Sequence, residues 1–152
     1  MSGPQVPDGY AISDDPARLD LDRVHAFISQ ESYWAKGIPR ETVEKTVRHS
    51  LTWGVYRGAE QVGFGRVITD KATFAYLCDV YIDSAHRGKG LSKALVAAIL
   101  AHPDLQNLRR WMLVTADAHT LYEPFGFTVP AYSERYMEIR RPGVYLEGQP
   151  PA

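Results

Sequence analysis

Hydrophobic positions along the chain change period several times, and each change marks an element. Leu21, Val24, Phe27 and Ile28 recur at helical spacing. Asp20 and Asp22 sit at the positive end of that helix's dipole. A second helix is expected after Pro39, carrying Val43 and Val47 inward. The period then falls to two. Leu51 to Arg57 reads as a strand, Gly58-Ala59-Glu60 as a turn, and Gln61 to Thr69 as the antiparallel partner. A third β run extends from Thr73 to Ile82, nearly all apolar from Phe74 onward, as in a central strand buried on both faces. Strict alternation there turns Cys78 away from Asp79 and sets Phe74 and Tyr76 on the face of Val80. Leu91, Leu95, Ala98 and Ile99 form one helical stripe that Pro103 stops. Trp111 to Thr115 is another strand, and a short helical piece runs through Tyr122. Gly126–Val129 and Arg135–Arg140 read as closing strands. With a leading strand, the expected order is β-α-α-β-β-β-α-β-α-β-β. That is a mixed, mainly antiparallel sheet flanked by helices, of α/β or α+β class.

Proline and glycine at both ends frame one domain over residues 10–141, with a flexible leader at 1–9 and a loose tail at 142–152. The 152 residues, 45% of them hydrophobic, suffice for one well-buried core. Lys and Arg total 17 against 18 Asp and Glu, which excludes the broad basic footprint of a nucleic-acid binder. No apolar run is long enough for a membrane span, and the first ten residues lack the character of a signal peptide. Cys78 is the single cysteine, which fits a reducing cytoplasmic setting and leaves no cysteine cluster for a metal; no metal is expected. The remaining classes are a small enzyme and a binding module.

Asp83-Ser84-Ala85-His86-Arg87-Gly88-Lys89-Gly90 separates them, because it leads from a strand into a helix. The free N–H groups of a first helical turn attract an anion, and glycines let the backbone approach it. A nucleotide P-loop is excluded, since Gly90 follows Lys89 where Ser or Thr is needed. The dinucleotide fingerprint fails as well, with Lys93 in place of its third glycine. Arg87-Gly88-Lys89-Gly90-Leu91-Ser92 instead resembles the Q/R-x-x-G-x-G/A diphosphate loop of the GNAT superfamily of N-acetyltransferases, with Ser92 where glycine or alanine is usual. Ala118 to Phe127 is similar to that superfamily's A-x-x-x-Y-x-x-x-G-F segment. The resemblance spans residues 51–130 and, more loosely, 10–50, and is nearest to small single-domain bacterial members.

The resemblance implies a GNAT-like fold and acetyl-CoA as co-substrate. It implies that Val80, Tyr81 and Ile82 bind the pantetheine arm through their backbone. The diphosphate would fall to Arg87, Gly88, Lys89, Gly90, Leu91, Ser92 and Lys93. It makes Tyr122 the acid that protonates the departing thiolate, and Thr115 stands where many members carry a cofactor-contacting asparagine. Two readings of Asp79 stand side by side: proton acceptor for the amine, or ion-pair partner of an arginine. His119 is a second candidate base or a bystander, and His25, His49, His86 and His102 have no constellation around them. Tyr33, Trp34 and Phe74 are the candidate acceptor-binding residues, Trp34 being either an aromatic wall or a lid on the core. The expected activity is acetyl transfer from acetyl-CoA to a primary amine of a small or amino-acid-like molecule. The alternatives are a silent acyl-CoA-binding module and a protein or peptide amine acetyltransferase. Homodimer formation through an edge strand or the final hairpin is compatible with this pattern.

Overall fold

The computed structural model describes residues 5–146; residues 1–4 of the expected leader and 147–152 of the expected tail lie outside the described residues. The main elements are β1 (Tyr10–Ser13), α1 (Leu21–Ala26), α2 (Arg40–Arg48), β2 (Leu51–Arg57), β3 (Glu60–Thr69), β4 (Phe74–Ile82), α3 (Leu91–Leu100), β5 (Arg110–Leu113) and α4 (His119–Tyr122). Their strands form one sheet in sequential order, antiparallel except for the β4–β5 pair.

Local chemistry sets most boundaries. Asp20 caps α1 by accepting from the Arg23 N–H at 3.2 Å, and the helix ends in a wider π turn over Phe27–Glu31. Pro39 precedes the first turn of α2 in extended conformation. The β3–β4 turn is held by Asp70, whose carboxylate accepts from the Ala72, Thr73 and Phe74 N–H groups and from the Thr73 hydroxyl. Those donors hold its carboxyl well below the usual carboxylate range.

Two apolar layers cover the sheet. On one face Trp53, Val55, Val67, Ala75, Leu77 and Ile82 pack against Leu91, Leu95, Val96 and Ile99 of α3. Each fully buried leucine or isoleucine in this layer contributes about 1.5–3 kcal/mol. On the other face Phe64 and Tyr81 meet Val24, Phe27, Ile28, Ile38 and Val43 from α1, α2 and their connector. Tyr81 stacks on Phe27 with centroids 3.7 Å apart.

The alternation expected along β4 breaks at Asp79. Phe64 pairs with Tyr81 while Arg66 pairs with Cys78, so two β4 residues oppose Gly65. Asp79 takes φ 54°, the left-handed region that Asp and Asn tolerate best among non-glycine residues. The bulge reverses every face assignment beyond it. Val80 therefore packs in the α3 layer with Ala75 and Leu77, not on the side of Phe74 and Tyr76. The Asp79 carboxylate reaches Arg66, the residue opposite Cys78, so the two side chains do not diverge as strict alternation predicts.

The closing strands differ too. Neither 126–129 nor 135–140 pairs with any strand among the described residues, and β5 bonds to β4 alone. A strand pattern needs a free edge alongside it, and the 135–140 segment does not lie along one within its own chain. Within the expected tail, Val144–Leu146 forms a 3-10 turn. That turn approaches Gly37, where an added Cβ would lie 2.7 Å from Leu146 Cδ2.

Candidate functional site

β4 and β5 pair from Phe74↔Arg110 to Leu77↔Leu113 and then part. Past the bulge, Val80, Tyr81 and Ile82 have no β5 partner among the described residues, so backbone donors and acceptors of this stretch face the gap. An extended ligand adds to such an edge through main-chain bonds, with little demand on side chains. This suits the burial of Tyr81 and Ile82, whose side chains are used up in the two cores.

The loop after β4 stands at one end of that gap. Gly88 and Gly90 have φ of 78° and 83°, where L-residues are strained, and a Cβ on either would meet nothing within 4 Å. The loop backbone is thus open to a ligand. Gly90 immediately precedes α3 and supplies no side-chain cap. The first intrahelical bond runs from Ala94 N–H to the Gly90 carbonyl, which leaves the N–H groups of Leu91, Ser92 and Lys93 for an outside acceptor. Lys89 and Lys93 are exposed on either side. Arg87 donates from Nε to the Ile82 carbonyl at 2.9 Å, tying the loop to the end of β4. His86 joins the same scaffold: its Nδ1 is 2.8 Å from the Tyr10 hydroxyl. These residues form a cradle suited in charge and shape to a diphosphate.

Tyr122 lies at the end of α4, 8% exposed, and packs edge-to-face on Phe127 at 5.9 Å. Burial, with a smaller contribution from Tyr33, pushes its phenol up to about 12. The hydrogen bonds around it, from the Ala116 N–H to the Tyr33 hydroxyl and from the Ala118 N–H to Thr115, do not involve its hydroxyl. Thr115 accepts from the Ala118 N–H at 3.0 Å and so shapes the turn leading into α4. His119 is exposed at the start of that helix.

On the α1–α2 side a charged cluster gathers under the connector. Asp79 Oδ2 accepts from Arg66 Nε at 2.8 Å and Oδ1 from Trp34 Nε1 at 2.7 Å. Arg66 also donates to the Ser50 hydroxyl at 3.0 Å. The Arg66 and Asp79 side chains are 13% and 9% exposed. Of the two sequence readings of Asp79, the ion pair is therefore present. Trp34 is half-exposed, anchored to Asp79 at its ring nitrogen, and Tyr33 crosses it edge-to-face at 5.0 Å. The Tyr33 hydroxyl in turn accepts from the Ala116 N–H at 3.0 Å. The connector thus reaches over to the β5–α4 loop near Tyr122. Phe74 is half-buried at the opposite end of β4. Arg66 and Ser50 were not anticipated. Hairpin register alone would not have found them, since Arg66 pairs with Cys78 and only the bulge turns Asp79 toward it. Burial pushes the Cys78 thiol up to about 12, which disfavours the thiolate that a nucleophile needs.

Residues 48–129 match the family model described as an acetyltransferase (GNAT) domain. A Gibberella zeae protein described as a candidate acetyltransferase is 34% identical over 133 residues, covering 74% of this chain and 75% of its own. The crystal structure of a Xanthomonas campestris pv. campestris protein assigned to the GNAT family superposes with a TM-score of 0.88 at 48% identity, covering 90% of this chain and 96% of that one. A Clostridium acetobutylicum protein solved with acetyl-CoA shares the fold at a TM-score of 0.62 and 13% identity, covering 86% of this chain and 94% of that one. No helix among the described residues is long and apolar enough to cross a membrane.

Proposed function

Since the chain belongs to the GNAT family of acetyltransferases, we propose that it moves an acetyl group from acetyl-CoA to a primary amine of a small or amino-acid-like acceptor. The observation that carries the donor is the uncapped start of α3 behind Gly88 and Gly90, placed where β4 and β5 part. Acetyl-CoA would supply an activated thioester, and the free N–H groups of Leu91, Ser92 and Lys93, with the Lys89 and Lys93 ammonium groups, would hold its diphosphate. Backbone groups of Val80–Ile82 would bind the pantetheine arm and stabilise negative charge developing on the acetyl oxygen.

Direct transfer requires an amine without its extra proton and an acid for the sulfur. Tyr122 is suited to the second task, because a phenol raised to about 12 stays protonated throughout the neutral range. Asp79 is held in place by Arg66 and Trp34, yet each carboxylate oxygen retains a further lone pair. We assign it the orientation of the acceptor N–H, with the proton passing on to solvent. Tyr33 and Trp34 would border the acceptor side, whereas Phe74, paired with Arg110 at the far end of β4, would not. The single cysteine suits a reducing, cytoplasmic setting.

The decisive assay supplies acetyl-CoA and a panel of primary amines and follows thiol release together with acetylated product by mass spectrometry. Turnover with a small amine is expected. Stabilisation by CoA without turnover on any amine would favour a silent binding module, and transfer only to peptide amines would favour a protein acetyltransferase.

The loop carries its own prediction. Gly90→Val puts a β-branched residue at φ 83°, a strain of about 1–3 kcal/mol that pulls the helix start out of line. The Kd for CoA, measured by calorimetry, is expected to rise about tenfold or more, as for one lost charge-assisted bond of ~1.4 kcal/mol. An unchanged Kd would remove the loop from the donor site.

A further inference from the structure

The histidine of the loop before α3 has no constellation in the sequence, but the fold supplies one. His86 closes the 3-10 turn Ser84–His86 and immediately precedes Arg87. Its Nδ1 lies 2.8 Å from the hydroxyl of Tyr10, the first residue of β1, 76 positions away in the chain. The two rings meet edge-to-face with centroids 5.7 Å apart. Its Nε2 lies 3.8 Å from Glu60 Oε1 at the start of β3, and the imidazole is only 16% exposed. Tyr10 is held in its turn. It pairs with Arg57 across the β1–β2 ladder, and Arg57 donates to its hydroxyl at 3.1 Å. Glu60 is shared with Arg23 of α1, which also reaches Asp83 at 3.1 Å.

These partners set the direction of the bonds. A guanidinium only donates, so the Tyr10 oxygen accepts from Arg57 and its own proton can go to His86. The Glu60 carboxylate favours a proton on Nε2, which leaves Nδ1 as the acceptor from Tyr10. In the sheet order β1-β2-β3-β4-β5, β1 is the strand farthest from the gap between β4 and β5. Its first side chain nonetheless holds the loop at that gap. The loop needs such an anchor, because Gly88 and Gly90 bring the greatest backbone freedom of any residue. A Cβ on either would touch nothing within 4 Å, and Gly90 adds no side-chain cap. Arg87 Nε on the Ile82 carbonyl is one restraint. His86, one residue earlier, is the second.

We propose that His86 and Tyr10 are positioning residues for the acyl donor: their hydrogen bond, backed by Arg57 and Glu60, sets the backbone of the 87–93 loop for the diphosphate. Both act through the loop backbone and not by touching the ligand. This role rests on the donor reading above and extends it, because it makes β1 a determinant of CoA affinity.

The test is the Kd of the full chain for CoA by calorimetry, with thermal unfolding alongside. Tyr10→Phe keeps the ring and the β1 pairing and removes only the hydroxyl, while His86→Leu removes the acceptor. Each is expected to raise Kd about three- to tenfold, the size of one ordinary hydrogen bond. His86→Asn should recover most of the affinity, since its Oδ1 occupies the same place relative to Cβ as Nδ1 and accepts a proton likewise. Tyr10→Phe/His86→Leu should bind no more weakly than the worse single variant, because both changes break one contact. By linkage, saturating CoA should slow amide exchange of β1 by about the same factor in the parent, and not in Tyr10→Phe. If His86→Leu unfolds, Tyr10→Phe decides alone. Parent-like Kd in Tyr10→Phe, additive losses in the double variant, failure of asparagine to restore binding, or β1 exchange indifferent to CoA would each overturn the brace and leave the donor reading standing. A parent that binds no CoA would overturn both.

Discussion

Tyr122→Phe is expected to lower turnover by about 10²–10⁴-fold, the span of a lost general acid, while CoA affinity and thermal stability stay near those of the parent. The expectation rests on what phenylalanine keeps. The ring is 8% exposed and packs on Phe127, and both features survive the change. Only the hydroxyl goes, and the neighbouring hydrogen bonds of Tyr33 and Thr115 do not involve it. A loss in kcat with little change in KM for acetyl-CoA marks a group acting in the transition state rather than in binding. The pH profile carries an independent consequence. A phenol raised from the ordinary 10 to about 12 keeps its proton as pH climbs through the ordinary value and loses it only near the raised one. Any fall in activity between pH 8 and 10 must therefore come from another group, and it should persist in the residual activity of Tyr122→Phe. Unchanged turnover with an authentic acceptor would remove Tyr122 from the acid role.

Arg66→Met should be the most destabilising of the substitutions considered. It leaves the Asp79 carboxylate buried without its cation, a loss of about 3–5 kcal/mol for a pair of this kind. Exposed ion pairs are worth little, but these side chains are only 13% and 9% exposed and lie 2.8 Å apart. In a chain of this length each kcal/mol moves Tm by roughly 2–4 °C, so a fall on the order of 10 °C is expected in thermal unfolding. Arg66→Met/Asp79→Asn should recover much of it, because asparagine tolerates the left-handed φ of 54° and carries no charge. Asp79→Leu should not, since it adds backbone strain at the bulge. If the double variant is as unstable as the sum of the two single ones, the residues are uncoupled.

The positions that sequence reasoning read well are those whose signal is local. Helical spacing of Leu91, Leu95 and Ile99 placed α3, period-two runs placed β2 and β3, and a nearly all-apolar run placed β4, because each pattern follows from which faces an element buries. The glycine loop before α3 was legible for the same reason: its signal lies in consecutive residues, and the positive φ of Gly88 and Gly90 is what glycine there suggests. The Asp79 environment was not. Its neighbours Arg66 and Trp34 lie 13 and 45 residues away, and the extra residue opposite Gly65 cannot be seen in an unbroken apolar run. One inserted residue moved Val80 to the α3 layer and turned the carboxylate toward Arg66. The closing strands failed at the same level, since alternation in 135–140 says that the segment suits a sheet and not which edge receives it.

The strand–loop–helix order and the motifs at Arg87–Ser92 and Ala118–Phe127 sufficed for the fold class and the family resemblance of this chain, and they point to the loop before α3 as its proposed anion site. These depend on torsion preferences and on burial along single elements, which act within a few residues. Tertiary structure alone decided where the β4 bulge falls, that Asp79 is bound by Arg66 and Trp34, and that β5 keeps an open edge beside Tyr122. Each of these depends on strand register and side-chain packing between distant segments, where a shift of one residue exchanges the two faces of the sheet.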